Sequence, residues 1–335
     1  MKTLYVIGLA QFLYGLAAAK ELINTVVLVE INDFNPSGGN RPFQETANLM
    51  SELCSYFDLE FKVEHIDVLR NSNSRREGDH VDLAIISRLK DGYPFRKPEI
   101  LAVQIEHLNL MQPTVKRLFS YEFRKRFDLN KRLLFCKGIS SFFTLSLSPR
   151  KNYFFQEKEI SRNSLEFVIG ILIKGLIDSG KYGFLIHLQK FAKSKVLVIF
   201  TLPNHFGGNE GFNERLIRLA VEIGNGLGIK HFLIKNHPSD AFNFQHLDLD
   251  VYQNPENKFF FLNSARERIF PMEILIHCLG PHLLVGALST SYFVFSKNQI
   301  DHPIIVEDKM RRSRRHRNYD LGSAPGSCGA SIVLI

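Results

Sequence analysis

TLYVIGLAQFLYGLAAAKELINTVVLVEI (Thr3–Ile31) decides the fold class. An apolar strand (Thr3–Leu9) leads into a helix (Gln11–Leu22) and then into the β-branched run TVVLVEI (Thr25–Ile31). The connecting segment has about a dozen residues, enough to carry the chain back between parallel strands. The expected unit is therefore βαβ. The same opening also has the Lys, apolar run and Ala triplet of a signal peptide. Gln11 interrupts that apolar run, and TVVLVEI would lose its neighbouring strand if the first segment were removed. Both points favour βαβ.

Working outward, strand and helix signals keep alternating. A polar loop (Asn35–Arg41, NPSGGNR) precedes a helix over Gln44–Tyr56 and a strand over Glu60–Val68. Arg70–Asp79 is a charged loop, Val81–Leu89 and Ile100–Ile105 are short apolar runs, Pro113–Phe127 reads as a basic helix, and Lys131–Cys136 as a strand. Ser164–Lys181 is apolar, but Glu166, Lys174 and Asp178 suit a buried helix better than a membrane span. The second half is cleaner. Strands are expected at Lys195–Leu202, His231–Lys235, Lys258–Leu262, His282–Leu288 and His302–Val306. Helices are expected at Glu210–Leu227, closed by Gly228, and at Pro271–Leu279, and Ser289-Thr290-Ser291 opens another.

This alternation predicts α/β architecture with parallel sheets. A chain of 335 residues suits two such domains. The expectation is two Rossmann-like domains facing a central cleft, at 1–185 and 186–321, with an irregular tail at 322–335. In open α/β sheets ligands bind at the carboxyl ends of the strands.

Composition narrows the classes. Hydrophobic residues are 45% and charged residues 23%, which excludes a disordered or fibrous chain. The four cysteines (Cys54, Cys136, Cys278, Cys328) form no CxxC pair, against a disulfide scaffold or a structural zinc site and in favour of a reducing compartment. The formal charge of +8 is concentrated locally: Lys309–Arg317 (KMRRSRRHR) holds six Lys/Arg and no acid. No nucleic-acid-binding motif accompanies it. An anionic membrane surface would contribute about 1 kcal/mol per basic residue. The plainer reading is a solvated run.

Three features fall at expected strand-to-helix turns. His237-Pro238 follows HFLIK. Proline keeps the preceding residue extended, so His237 is held at the sheet edge, where an imidazole donates to phosphate or protonates a leaving oxygen. Glu273 lies at a helix start, either as a favourable charge on the helix dipole or as an acceptor for ribose hydroxyls. Ser289, Thr290 and Ser291 follow HLLVGAL, and hydroxyls at a helix N-terminus suit a phosphate. Together they point to a nucleotide-sugar site with no metal, since no DxD-type acidic motif is evident.

The pieces IKNHPSD (Ile234–Asp240), FPMEIL (Phe270–Leu275) and VGALSTSYF (Val285–Phe293) resemble bacterial sialyltransferases of the GT-B type, namely glycosyltransferase family 52 lipooligosaccharide sialyltransferases and capsule polysialyltransferases. LYVIGLAQFLYGLAAAKEL (Leu4–Leu22) resembles their first strand, Gln-containing turn and helix, which makes Gln11 a first-domain site residue. The resemblance implies inverting transfer from CMP-sialic acid, with no cofactor, to a glycan or glycolipid acceptor. It also implies that His237 and the turn Ser289, Thr290 and Ser291 hold the donor phosphate, with Glu273 near the nucleotide. A cytoplasmic protein, peripheral at the inner face of the membrane through 309–317, would follow. One departure stands out. The family's acidic pair before a glycine, which supplies the base, aligns with Cys136-Lys137-Gly138, where both acids are absent. Lys137 as base would need a strongly depressed pKa. Asp91-Gly92 is another acid–Gly pair but falls too early, before the Ile100 strand. Two alternatives stay open: a GT-B transferase using a CDP-alcohol or other nucleotide-sugar donor, and a degenerate member that binds without catalysis.

Overall fold

The computed structural model describes residues 2–6, 8–30, 42–65, 83–85, 100–104, 139–145, 157–160, 162–191, 194–202, 210–238, 254–279, 283–286, 303–307 and 331–335. It is a mixed α/β structure built on two parallel sheets. The chain divides into two compact units, Met1–Asn32 with Ala47–Leu172, and Asp33–Thr46 with Ile173–Ile335. The sequence placed the boundary at 185/186. The division instead falls inside one continuous helix, whose unbroken apolar side (Leu165, Val168, Ile169, Leu172, Ile173, Leu176) carries no boundary signal.

The first unit opens with strand β1 (Lys2–Val6), helix α1 (Leu9–Ala19), a single 3-10 turn (Lys20–Leu22) and strand β2 (Ile23–Glu30). β1 and β2 pair in parallel, so the βαβ expectation holds. Val26, Val27, Leu28 and Val29 are all buried, as expected of a parallel strand covered on both faces. Helix α2 (Phe43–Ser55) and strands β3 (Glu60–His65), β4 (Leu83–Ile85), β5 (Ile100–Gln104), β6 (Ile139–Leu145) and β7 (Glu157–Ile160) follow. The sheet order is β3-β2-β1-β4-β5-β6-β7, parallel throughout. The expected helix at 113–127 and strand at 131–136 lie outside the described residues.

Helix α3 (Arg162–Asp178) leads to α4 (Gly183–Phe191) and then to the second sheet. Its elements are β8 (Val196–Phe200), α5 (Glu210–Gly226), β9 (His231–Lys235), β10 (Lys258–Leu262), α6 (Ala265–Arg268), α7 (Met272–Leu279), β11 (Leu283–Gly286), β12 (Pro303–Glu307) and β13 (Ser331–Leu334). The order β10-β9-β8-β11-β12-β13 is that of a doubly wound sheet, again all parallel. The tail expected to be irregular at 322–335 needs correction. Ser331–Leu334 pairs with β12, because SIVL is a β-branched apolar run that completes the sheet edge, and Ile335 packs on the core.

One face of this sheet packs on α5 through Leu197, Ile199, Phe232, Ile234 and Val285 against Phe212, Leu216, Ile217, Ala220 and Val221. Gly228, at φ 69°, ends α5 as its sequence suggests. Its N–H donates to the Asn225 carbonyl and that of Ile229 to Gly224, the two bonds of a Schellman cap, while Ile229 is buried in the core.

Gly286 closes β11 directly beside the end of β8, in register with Phe200. A Cβ there would sit 2.5 Å from the Phe200 ring. Gly286→Ala is therefore expected to cost about 1–3 kcal/mol through overpacking, read as a lower urea midpoint at constant slope. Phe200→Leu in the same background should recover part of it. An unmoved midpoint in the single variant would contradict the close approach.

Candidate functional site

In the second sheet the chain leaves β8 for β9 and β10 on one side, then resumes at β11 on the other. The strand order reverses between β8 and β11, the topological switch point where doubly wound sheets bind ligands beyond their strand carboxyl ends. Four segments leave the sheet around this point. They are Thr201-Leu202 after β8, Asn236-His237-Pro238 after β9, Asn263 after β10, and Gly286 at the end of β11.

The first three are joined by hydrogen bonds. The Thr201 hydroxyl donates to Asn236 Oδ1 at 3.1 Å, and Asn236 Nδ2 donates to Asn263 Oδ1 at 2.8 Å. The His237 backbone N–H donates to Thr201 Oγ1 at 3.2 Å. Backbone bonds continue the strand pairing outward, from Thr201 N–H to the Lys235 carbonyl at 3.1 Å and from Asn236 N–H to the Leu262 carbonyl at 3.4 Å. Asn213 of α5 clamps the chain just past Thr201. Its Oδ1 accepts from the Leu202 N–H and its Nδ2 donates to the Leu202 carbonyl, both at 3.0 Å. Thr201, Asn213 and Asn236 are all buried, so their polar groups hold the backbone in place of water.

Two residues before His237 the chain buries a lysine. Lys235 is 3% exposed, and Glu273, in the first turn of α7, is equally enclosed. The Lys235 ammonium donates to the Asn236 carbonyl at 3.1 Å and to the Arg268 carbonyl at 2.9 Å, tying the end of β9 to the turn before α7. Burial pulls its pKa down to about 7; the Glu273 carboxylate opposes that shift and the Arg268 guanidinium adds to it. Ser264 and Glu267 form a capping box that starts α6 and fixes this turn.

The structure thus sets His237 just past the end of β9 and Glu273 in the first turn of α7, with Lys235 bonded to the Asn236 carbonyl and within the electrostatic reach of Glu273. Glu273 is enclosed and acts on the Lys235 charge, a setting that neither the dipole nor the ribose reading of the sequence included. Gln11 is buried in α1 of the first unit. Ser289, Thr290 and Ser291 lie outside the described residues, beginning three positions after β11 ends. Lys137 and Gly138 lie outside them too, and strand β6 begins immediately after Gly138. Among the described residues no group of three or more His, Cys, Asp or Glu is placed to hold a metal ion. Burial pushes the thiols of Cys54 and Cys278 up to about 12, which keeps both protonated at neutral pH. Among the described residues no helix is long and apolar enough to cross a membrane.

Sequence reasoning missed Thr201, Asn236 and Asn263, which are single polar residues following strands. A signal was present in retrospect: each is the first polar residue after a strand that pairs with its neighbour.

No protein-family model matches this chain, and no match was found among characterised proteins.

Proposed function

We propose that the protein is a glycosyltransferase of the GT-B type, an inverting sialyltransferase that takes CMP-sialic acid and modifies a surface glycan such as lipooligosaccharide or capsule. The observation that carries this reading is His237, held at the carboxyl edge of a doubly wound sheet one strand from its switch point. Two Rossmann-like sheets in one chain, and a Ser-Thr-Ser sequence following the strand across the switch point, also support it.

In this reading the acceptor hydroxyl oxygen attacks the anomeric carbon of the sialyl group, and the bond from that carbon to the CMP phosphate oxygen breaks. The bonding pair leaves with the phosphate, and the acceptor proton passes to a base. His237 donates to the phosphate oxygen as its charge grows, with Ser289, Thr290 and Ser291 on the same phosphate. The first unit carries the acceptor side. The base is not the family's acidic pair, since Cys136 and Lys137 occupy those positions. That replacement favours a second reading, nucleotide binding without transfer. The basic run 309–317, which lies outside the described residues, would hold the protein at an anionic inner membrane face.

The test is ligand-induced stabilisation. CMP at about 100 times its dissociation constant adds about 2.7 kcal/mol, a rise of several degrees in Tm. CDP-glycerol at equal concentration should leave Tm unmoved. Stabilisation by CDP-glycerol alone would assign a different donor, and no response to either would remove the nucleotide site. Stabilisation by CMP without transfer to any galactoside or sialoside acceptor would establish the second reading.

A further inference from the structure

We propose that Thr201 and Asn236 are positioning residues for His237, a role that rests on the transferase reading above. The argument begins with proton count. A threonine hydroxyl has one hydrogen, and that of Thr201 goes to Asn236 Oδ1. The oxygen then presents a lone pair, and the His237 N–H uses it. The direction of the chain is set from its far end, because Asn236 Nδ2 donates to Asn263 and only Oδ1 is left to face Thr201. Three strand ends are thereby joined by groups 35 and 27 residues apart in sequence.

Asn236 is fully buried and Thr201 is 4% exposed, so neither bond exchanges readily with water. His237 is gripped on both sides. Its N–H is held by Thr201, and Pro238 restricts its backbone to extended conformations. A backbone fixed in this way sets where the imidazole starts from, and a displacement of about 1 Å costs on the order of 100-fold in rate.

Thr201→Val keeps the shape and removes the hydroxyl, Thr201→Ser keeps the hydroxyl, and Thr201→Ala is the alternative should valine fail to fold. Turnover of CMP-sialic acid is measured beside hydrogen exchange of individual backbone amides by NMR. The valine variant is expected to lose about 10- to 100-fold in kcat with KM nearly unchanged, and serine to restore kcat to within about threefold. Exchange of the His237 amide is expected to quicken at least about tenfold in the valine variant, with the Ile234 amide unaffected. An unchanged His237 exchange rate overturns the positioning role whatever the activity. Wild-type turnover by Thr201→Val beside a slow His237→Ala overturns it too, and leaves the transferase reading standing. Wild-type turnover by His237→Ala overturns the reading of the site itself, and the exchange measurement then decides alone whether Thr201 holds this backbone.

Discussion

Replacing His237 with alanine is expected to lower kcat for sialyl transfer by about 10²–10³-fold, the usual loss when one donor to a developing anion is removed. The substitution deletes the ring and leaves the backbone N–H, so the bond to Thr201 survives. Half-buried and beyond the end of β9, the ring is no part of the apolar core. The urea midpoint should therefore stay within about 0.5 kcal/mol of wild type, as for surface substitutions away from the core. Binding of CMP itself should weaken far less than turnover falls, because the donor matters most where charge accumulates on the leaving phosphate. His237→Asn keeps an N–H donor but has no titrating proton, and should fall between the two. Parallel loss of kcat and of folded stability would assign His237 a structural role. Full activity in His237→Ala would end its assignment to the phosphate.

The elements around His237 were the most legible part of the chain, and the reason is local. HFLIK stands between a left-handed glycine at 228 and a proline at 238, and its observed bounds are those the sequence suggests. KFFFL at β10 is equally plain. By contrast β7 reads EKEI, polar at three of four positions, and was not anticipated; as an edge strand it needs pairing on one side only. ISSFFTL at β6 has two serines near its start, a weaker strand signal than the more apolar KRLLFC before it. The site shows the same contrast. His-Pro announces itself, because proline constrains its neighbour in any context. Thr201, Asn236 and Asn263 do not, because their roles exist only once three strands from distant parts of the chain end side by side. Lys235 gives no sign of its burial either, since nothing in HFLIK marks the closing lysine as enclosed. Alternation along β9 sets it on the face of His231, whose ring meets Phe191 of α4 edge-on at 5.0 Å.

Lys235→Met is expected to destabilise the protein by about 1–3 kcal/mol at pH 9, the cost of leaving buried acceptors without their donor. The carbonyls of Asn236 and Arg268 then lose the Lys235 amino group, and with it the tie between the end of β9 and the turn before α7. The difference between wild type and Lys235→Met should also depend on pH in a defined direction. The lysine titrates near 10.5 when unfolded and at about 7 when folded. Below about pH 7 both states hold the proton, and the cost of burying the charge is present in full. Between about pH 7 and 10.5 the unfolded state keeps a proton that the folded state has released, so wild-type stability rises with pH. The slope is at most about 1.4 kcal/mol per pH unit. Glu273 and Arg268 are the charged groups acting on the ammonium, and both are retained in the single variant, so subtracting its stability isolates the lysine. Urea unfolding at pH 6 and pH 9 checks this: the wild-type advantage over Lys235→Met should be larger at pH 9. An advantage that is flat, or that shrinks with rising pH, would mean that Lys235 reaches solvent and that its tie between β9 and the turn before α7 does not form.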